Sequence, residues 1–151
     1  MTTFVVDASV GVKWVVPEEG TREAHALLEF GRLAVPELFQ AECTNILWKK
    51  VRRSEISRDE ALDALELLAG SGVVVWPMRE LVDGAFRLAV VLDHSVYDCL
   101  YLTLALSQDW TFVTADRRLL DKIERHRDTD LRDSLRARCE FLSDLTVGRR
   151  G

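Results

Sequence analysis

Cysteine is scarce in this chain, with only Cys43, Cys99 and Cys139 among 151 residues. Three widely spaced cysteines among apolar neighbours build neither a disulfide framework nor a zinc knuckle, which points to a reducing compartment. No apolar run approaches the roughly 20 residues of a membrane helix. The start, Met-Thr-Thr-Phe-Val-Val-Asp, lacks the basic residues and long apolar stretch of a signal peptide, so a cytoplasmic protein without a membrane is expected. Surplus positive charge is missing too. A net charge of −5 excludes coating of nucleic acid by bulk attraction, so any such contact must be local. The histidines, His25, His94 and His126, show no paired ligand spacing and are assigned no role. Proline is limited to Pro17, Pro36 and Pro77, all at expected element boundaries. With no linker, repeat or low-complexity stretch, residues 1–151 read as one domain with a core over about 3–120.

What is present is a hydrophobic content of 48%, ample for one core. Four short β-branched or aromatic runs predict strands: Thr3 to Val6, Leu33 to Val35, Val73 to Trp76 and Trp110 to Val113. Between them apolar residues return every three or four positions, as in Leu62, Leu65, Leu68 and Ala69, and in Leu81, Val82, Ala85, Leu88, Ala89 and Leu92. Ser57 with Glu60 forms a capping-box pattern, and Gly70 and Gly72 flank a helix stop. Alternating strands and helices predict a three-layer α/β/α sandwich around a mainly parallel sheet of four or five strands. Cys139 to Leu142 is the candidate fifth strand. The C-terminal part is more basic: residues 117–151 hold ten Arg/Lys against seven Asp/Glu, and residues 1–116 hold ten against eighteen.

Asp7 directly follows the first strand and Asp116 follows the fourth after Thr114 and Ala115, so both fall at strand carboxyl ends, the edge where open α/β sheets bind ligands. Glu42 sits between Phe39 and Ile46 on an inward-facing helical stripe, where an unpaired carboxylate would cost several kcal/mol. Asp98 opens an apolar helix with Leu102 and Ala105 on its face. Singly, Asp7, Asp98 and Asp116 also read as helix caps, and Glu42 as the partner of a buried arginine. Converging, the four would repel one another unless a cation joined them. Oxygen donors alone favour Mg²⁺ or Mn²⁺ over zinc. Such a centre hydrolyses phosphodiesters with a metal-activated water, with Asp7, Asp98, Glu42 and Asp116 as metal-holding and catalytic residues. Ser9 and Thr114 would supply supporting hydrogen bonds.

The pattern Phe4-Val5-Val6-Asp7-Ala8-Ser9-Val10, Glu42 with Asn45, Tyr97-Asp98-Cys99-Leu100-Tyr101-Leu102-Thr103-Leu104-Ala105, and Phe112-Val113-Thr114-Ala115-Asp116 resembles a VapC-type PIN domain. The resemblance runs from about residue 3 to 120, and the ordered set is far more specific than any one motif. It implies a Mg²⁺- or Mn²⁺-dependent endoribonuclease, the toxin of a type II toxin–antitoxin pair. A homodimer, a small VapB-like antitoxin as partner and a tRNA or rRNA substrate are implied with it. Asp7, Glu42, Asp98 and Asp116 match the family's acidic quartet. Cys99, where the family commonly has a small apolar residue, and the polar stretch Arg125 to Arg138 depart from the pattern.

Two basic groups flank the acids: Lys49 and Lys50 with Arg52 and Arg53 at the end of the Glu42 helix, and Arg117 and Arg118 with Lys122 after Asp116. They are candidate RNA contacts, although cations at helix ends also answer the dipole. Two competing readings remain. A phosphotransferase would use Asp7 as nucleophile, but Ser9 stands where a second aspartate is needed and Glu42 has no part. A non-catalytic metal- or RNA-binding PIN-like module would keep the fold without turnover.

Overall fold

The computed structural model describes residues 2–145, so residue 1 and the last six residues of the basic segment lie outside it. Five strands form one sheet: β1 (Thr3–Val6), β2 (Arg32–Pro36), β3 (Val74–Trp76), β4 (Thr111–Thr114) and β5 (Cys139–Phe141). Their order is β3-β2-β1-β4-β5 and every pairing is parallel. From β1 the chain builds outward through β2 and β3, then crosses to the other side of β1 with β4. The reversal between β1 and β4 opens a crevice at their carboxyl ends.

Among the described residues, eight α-helices join and cover the strands in the expected sandwich: α1 (Ala8–Gly11), α2 (Thr21–Phe30), α3 (Leu38–Arg52), α4 (Arg58–Ala69), α5 (Val82–Leu92), α6 (Val96–Gln108), α7 (Arg117–Glu124) and α8 (Thr129–Arg136). α4 begins with the expected capping box: Ser57 Oγ accepts from Glu60 N at 3.0 Å, and Glu60 Oε1 from Ser57 N at 3.2 Å. α5 and α6 both end on left-handed aspartates, Asp93 (φ 50°) and Asp109 (φ 60°). The polar stretch Arg125 to Arg138 contains α8, which buries Leu135 beside β5. β5 stops at Phe141, one residue short of the predicted run, because Leu142 turns into a short 3₁₀ segment.

α6 packs across β1, β2 and β4 and buries Cys99, Leu100, Tyr101, Leu102, Leu104 and Ala105. α1 lies so close to α3 that a Cβ on Gly11 would run into the Phe39 ring. That approach brings the turn after β1 against the helix carrying Glu42. No single helix among the described residues is long and apolar enough to cross a membrane.

Candidate active site

Each acid owes its position to a different element. Asp7 ends β1 and caps α1, with Val10 N 3.4 Å from Oδ1. Ser9 Oγ also donates to Oδ1, and Thr114 Oγ1 donates to Oδ2 at 2.5 Å. The same hydroxyls tie the neighbouring strand end: Ala115 N donates to Ser9 Oγ and Asp116 N to Thr114 Oγ1, both at 3.0 Å. The ends of β1 and β4 are thus stitched together through Asp7, Ser9 and Thr114. Burial pushes the Asp7 carboxyl up to about 6, against the lowering by these hydrogen bonds.

Glu42 projects from α3, half-buried, and accepts from Tyr101 Oη of α6 at 2.5 Å. Burial raises its pKa, the tyrosine bond opposes the rise, and the charge of Asp98 adds to it. The same Asp98 charge reaches Asp7. Asp98 stands in the first turn of α6, whose cap is Ser95, and its Oδ2 lies 2.7 Å from His94 Nε2. Asp116 caps α7 through Arg118 N at 2.9 Å, and the Arg118 guanidinium clasps both its oxygens, holding the carboxyl below its usual range. The crevice therefore gathers Asp7, Glu42 and Asp98 within electrostatic reach, with Asp116 at the adjoining strand end.

His94 and Tyr101 are contacts of the acids that sequence reasoning left out. A lone histidine carries no ligand pattern, and His94 lies in the link between α5 and α6, just before the Ser95 cap. Tyr101 reads as core, which it is: fully buried and stacked on Phe112 at 6.2 Å between ring centroids, with only its hydroxyl at the site. Burial pushes the Cys43 thiol up to about 12 and the Cys99 thiol to about 11, so neither supplies a thiolate nucleophile near neutral pH.

The expected RNA-facing cations divide. Lys50 is turned away, its Nζ 2.8 Å from Glu18 and 3.5 Å from Glu55. Arg117 lies 4.0 Å over the Phe141 ring and 3.8 Å from Asp144, anchoring the C-terminal strand. Lys49 and Arg118 border a groove with Glu42, Asn45 and Tyr97. A separate apolar hollow beside β3, formed by Val35, Phe39, Leu68 and Val73, has Glu37 as its one charged side chain and lies away from the acids.

The donor set, four carboxylates without thiolate, suits a hard divalent cation. Among the described residues, however, no three His, Cys, Asp or Glu side chains are gathered closely enough to hold a metal ion together. The acids are spent on local partners: Asp98 on His94, Asp116 on Arg118, Glu42 on Tyr101. Asp98 and Asp116 remain about one-third exposed, at 35% and 32%.

Fold and acidic crevice together define a PIN-domain protein: the PIN domain model matches residues 4–125, and the chain belongs to that family. Within it the chain is an enzyme of the nuclease class, on its kinship with VapC ribonucleases. Ribonuclease VapC3 of Pyrobaculum aerophilum is 36% identical over 122 residues, 79% of this chain and 93% of that protein. A solved protein from the same organism superposes with a TM-score of 0.65 at 26% identity, covering 90% of each chain. VapC20 of Mycobacterium tuberculosis, described as a sarcin–ricin loop cleaving toxin, shares the fold at a TM-score of 0.60 and 14% identity, over 78% of this chain and 93% of that one.

Proposed function

We propose that the chain is a Mg²⁺- or Mn²⁺-dependent endoribonuclease, the toxin of a VapBC-type pair, cutting tRNA or rRNA. One observation supports the reading most: Asp7, Glu42 and Asp98 lie within reach of one another's charge at the carboxyl edge of a parallel sheet, with Asp116 following β4 at the same edge and no nucleophilic thiolate beside them. Asp7, Asp98, Glu42 and Asp116 would hold the cation, which when bound activates water and offsets charge on the phosphodiester. The chain's own residues set the stage. Ser9 and Thr114 hold both oxygens of Asp7, Tyr101 fixes one oxygen of Glu42, and His94 fixes one oxygen of Asp98 while leaving Oδ1 free. Lys49 and Arg118, at the groove beside Glu42, would receive RNA phosphates.

Two partners complete the reading. A small VapB-like antitoxin fits the kinship with VapC proteins, and a second copy of the chain fits the exposed Val82, Phe86 and Val90 along α5. The deciding experiment incubates purified protein with a labelled tRNA and rRNA pool and Mg²⁺ or Mn²⁺, beside Asp98→Asn and an EDTA control. Discrete fragments from the wild type alone, lost with EDTA, are expected. No cleavage while Mn²⁺ still binds would replace catalysis by a binding module.

A further inference from the structure

Of the cations expected at the RNA, Arg118 touches a candidate ligand. Its Nε lies 3.1 Å from Asp116 Oδ1 and 2.9 Å from Oδ2, and a terminal nitrogen lies 2.5 Å from Oδ2. One guanidinium therefore occupies both oxygens. His94 differs, taking a single oxygen of Asp98. The Arg118 backbone is already fastened to Asp116 Oδ1 at 2.9 Å, so the clasp demands little extra ordering of the chain. Yet the Arg118 side chain is 79% exposed and borders the groove shared by Glu42, Asn45, Lys49 and Tyr97. A planar guanidinium fork matches a phosphate as well as it matches a carboxylate.

We propose that Arg118 exchanges partners during loading: it neutralises Asp116 until a divalent cation takes that carboxylate, and the freed guanidinium then closes on a phosphate of RNA in the groove. The proposal rests on the divalent-metal ribonuclease reading. The guanidinium on both Asp116 oxygens is an internal stand-in for the charge a cation would bring there. An exposed ion pair prevails by only about twofold to fivefold, which a doubly charged ion on the same oxygens overcomes. Release then puts positive charge at the groove only in the metal-loaded protein, so that RNA binds productively after metal.

The test measures Mn²⁺ affinity from free Mn²⁺ in electron paramagnetic resonance, and RNA affinity by stopped-flow anisotropy of a labelled single strand, which reads binding before cleavage. Arg118→Ala is expected to bind Mn²⁺ about two to five times more tightly than wild type. With Mn²⁺ present it binds RNA more weakly, and the salt dependence of binding falls by about one charge. Without Mn²⁺ its RNA affinity equals that of wild type. Arg118→Lys, which keeps the charge but loses the fork, falls between the two in Mn²⁺ affinity and restores the salt dependence. Unchanged or weaker Mn²⁺ binding by Arg118→Ala, or an equal loss of RNA affinity with and without Mn²⁺, overturns the exchange. An Asp98→Asn control separates the layers. If wild type binds Mn²⁺ and the control does not, the metal reading stands and the Arg118 results alone judge the exchange; if wild type binds none, both fall.

Discussion

His94 Nε2, in the link before α6, stands 2.7 Å from Asp98 Oδ2, four residues on, and leaves the other carboxylate oxygen without a hydrogen bond among the described residues. The imidazole, 11% exposed, fixes the carboxylate without competing for both oxygens. Partners that orient a metal-binding group typically matter by about 10- to 100-fold in metal affinity or activity. His94→Ala is therefore expected to weaken Mn²⁺ binding by about tenfold, and His94→Gln, which retains a donor, to recover part of it. Mn²⁺ titrations of the three proteins check this, and equal affinities would reduce His94 to a packing residue.

Tyr101 and Glu42 give a second test. Tyr101→Phe keeps the buried ring against Phe112 and removes the one hydroxyl that faces Glu42. The half-buried carboxylate then loses its donor, at a cost of about 1–3 kcal/mol. The tyrosine bond lowers the Glu42 pKa, so its loss raises it further. The destabilisation is full where Glu42 is ionised and shrinks as pH falls and the group protonates. Urea unfolding of both proteins across pH measures it, and a penalty that grows at low pH would contradict the assignment.

β1 and β4 were legible because each is a short β-branched or aromatic run ending in chemistry: Val6 before Asp7 and Val113 before Thr114 report both a buried strand and its carboxyl end. Glu42 stood out for a related reason, since an acid on an inward helical stripe demands compensation, which Tyr101 supplies. Cations were harder. Lys50 and Arg118 look alike beside helix ends, and only three-dimensional neighbours, Glu18 for one and Asp116 for the other, separate a structural ion pair from a site contact. Tyr101 was hidden by its own burial, because sequence cannot tell a core ring from a core ring whose hydroxyl reaches the crevice. Val82 and Leu62, counted in the periodic stripes, are exposed, because helices apolar on more than one side leave the inward face undetermined.

Asp7 carries a pH signature in the metal-free protein. Burial pushes its carboxyl from 3.8 up to about 6, so the fold favours the protonated form. The stabilisation is full below about pH 4 and is lost as pH rises through 6. Above that, ionised Asp7 costs up to about 3 kcal/mol. Asp7→Asn is expected to be the more stable protein near neutral pH in EDTA, with the advantage fading towards pH 4, and to lose Mn²⁺ binding. Parallel stability curves for the two proteins would refute the buried-charge account.

Along α5, Val82, Phe86 and Val90 recur every four residues and stand 49%, 61% and 64% exposed. The opposite face is already committed: Ala85, Ala89 and Leu92 are buried, and a Cβ on Gly84 would lie 2.8 Å from Thr103 Cγ2 of α6. The uncovered stripe therefore cannot turn inward. In a symmetric dimer the same stripe meets itself about a two-fold axis, and a central aromatic is the usual anchor of such a contact. Phe86→Glu would place two like charges at that axis. It is expected to weaken dimerisation by at least about 30-fold, corresponding to about 2 kcal/mol, while the exposed position leaves protomer unfolding within about 0.5 kcal/mol of wild type. Sedimentation equilibrium of wild type and variant decides the point. A wild type that is monomeric at micromolar concentration, or a Phe86→Glu variant as dimeric as wild type, would move the interface off α5.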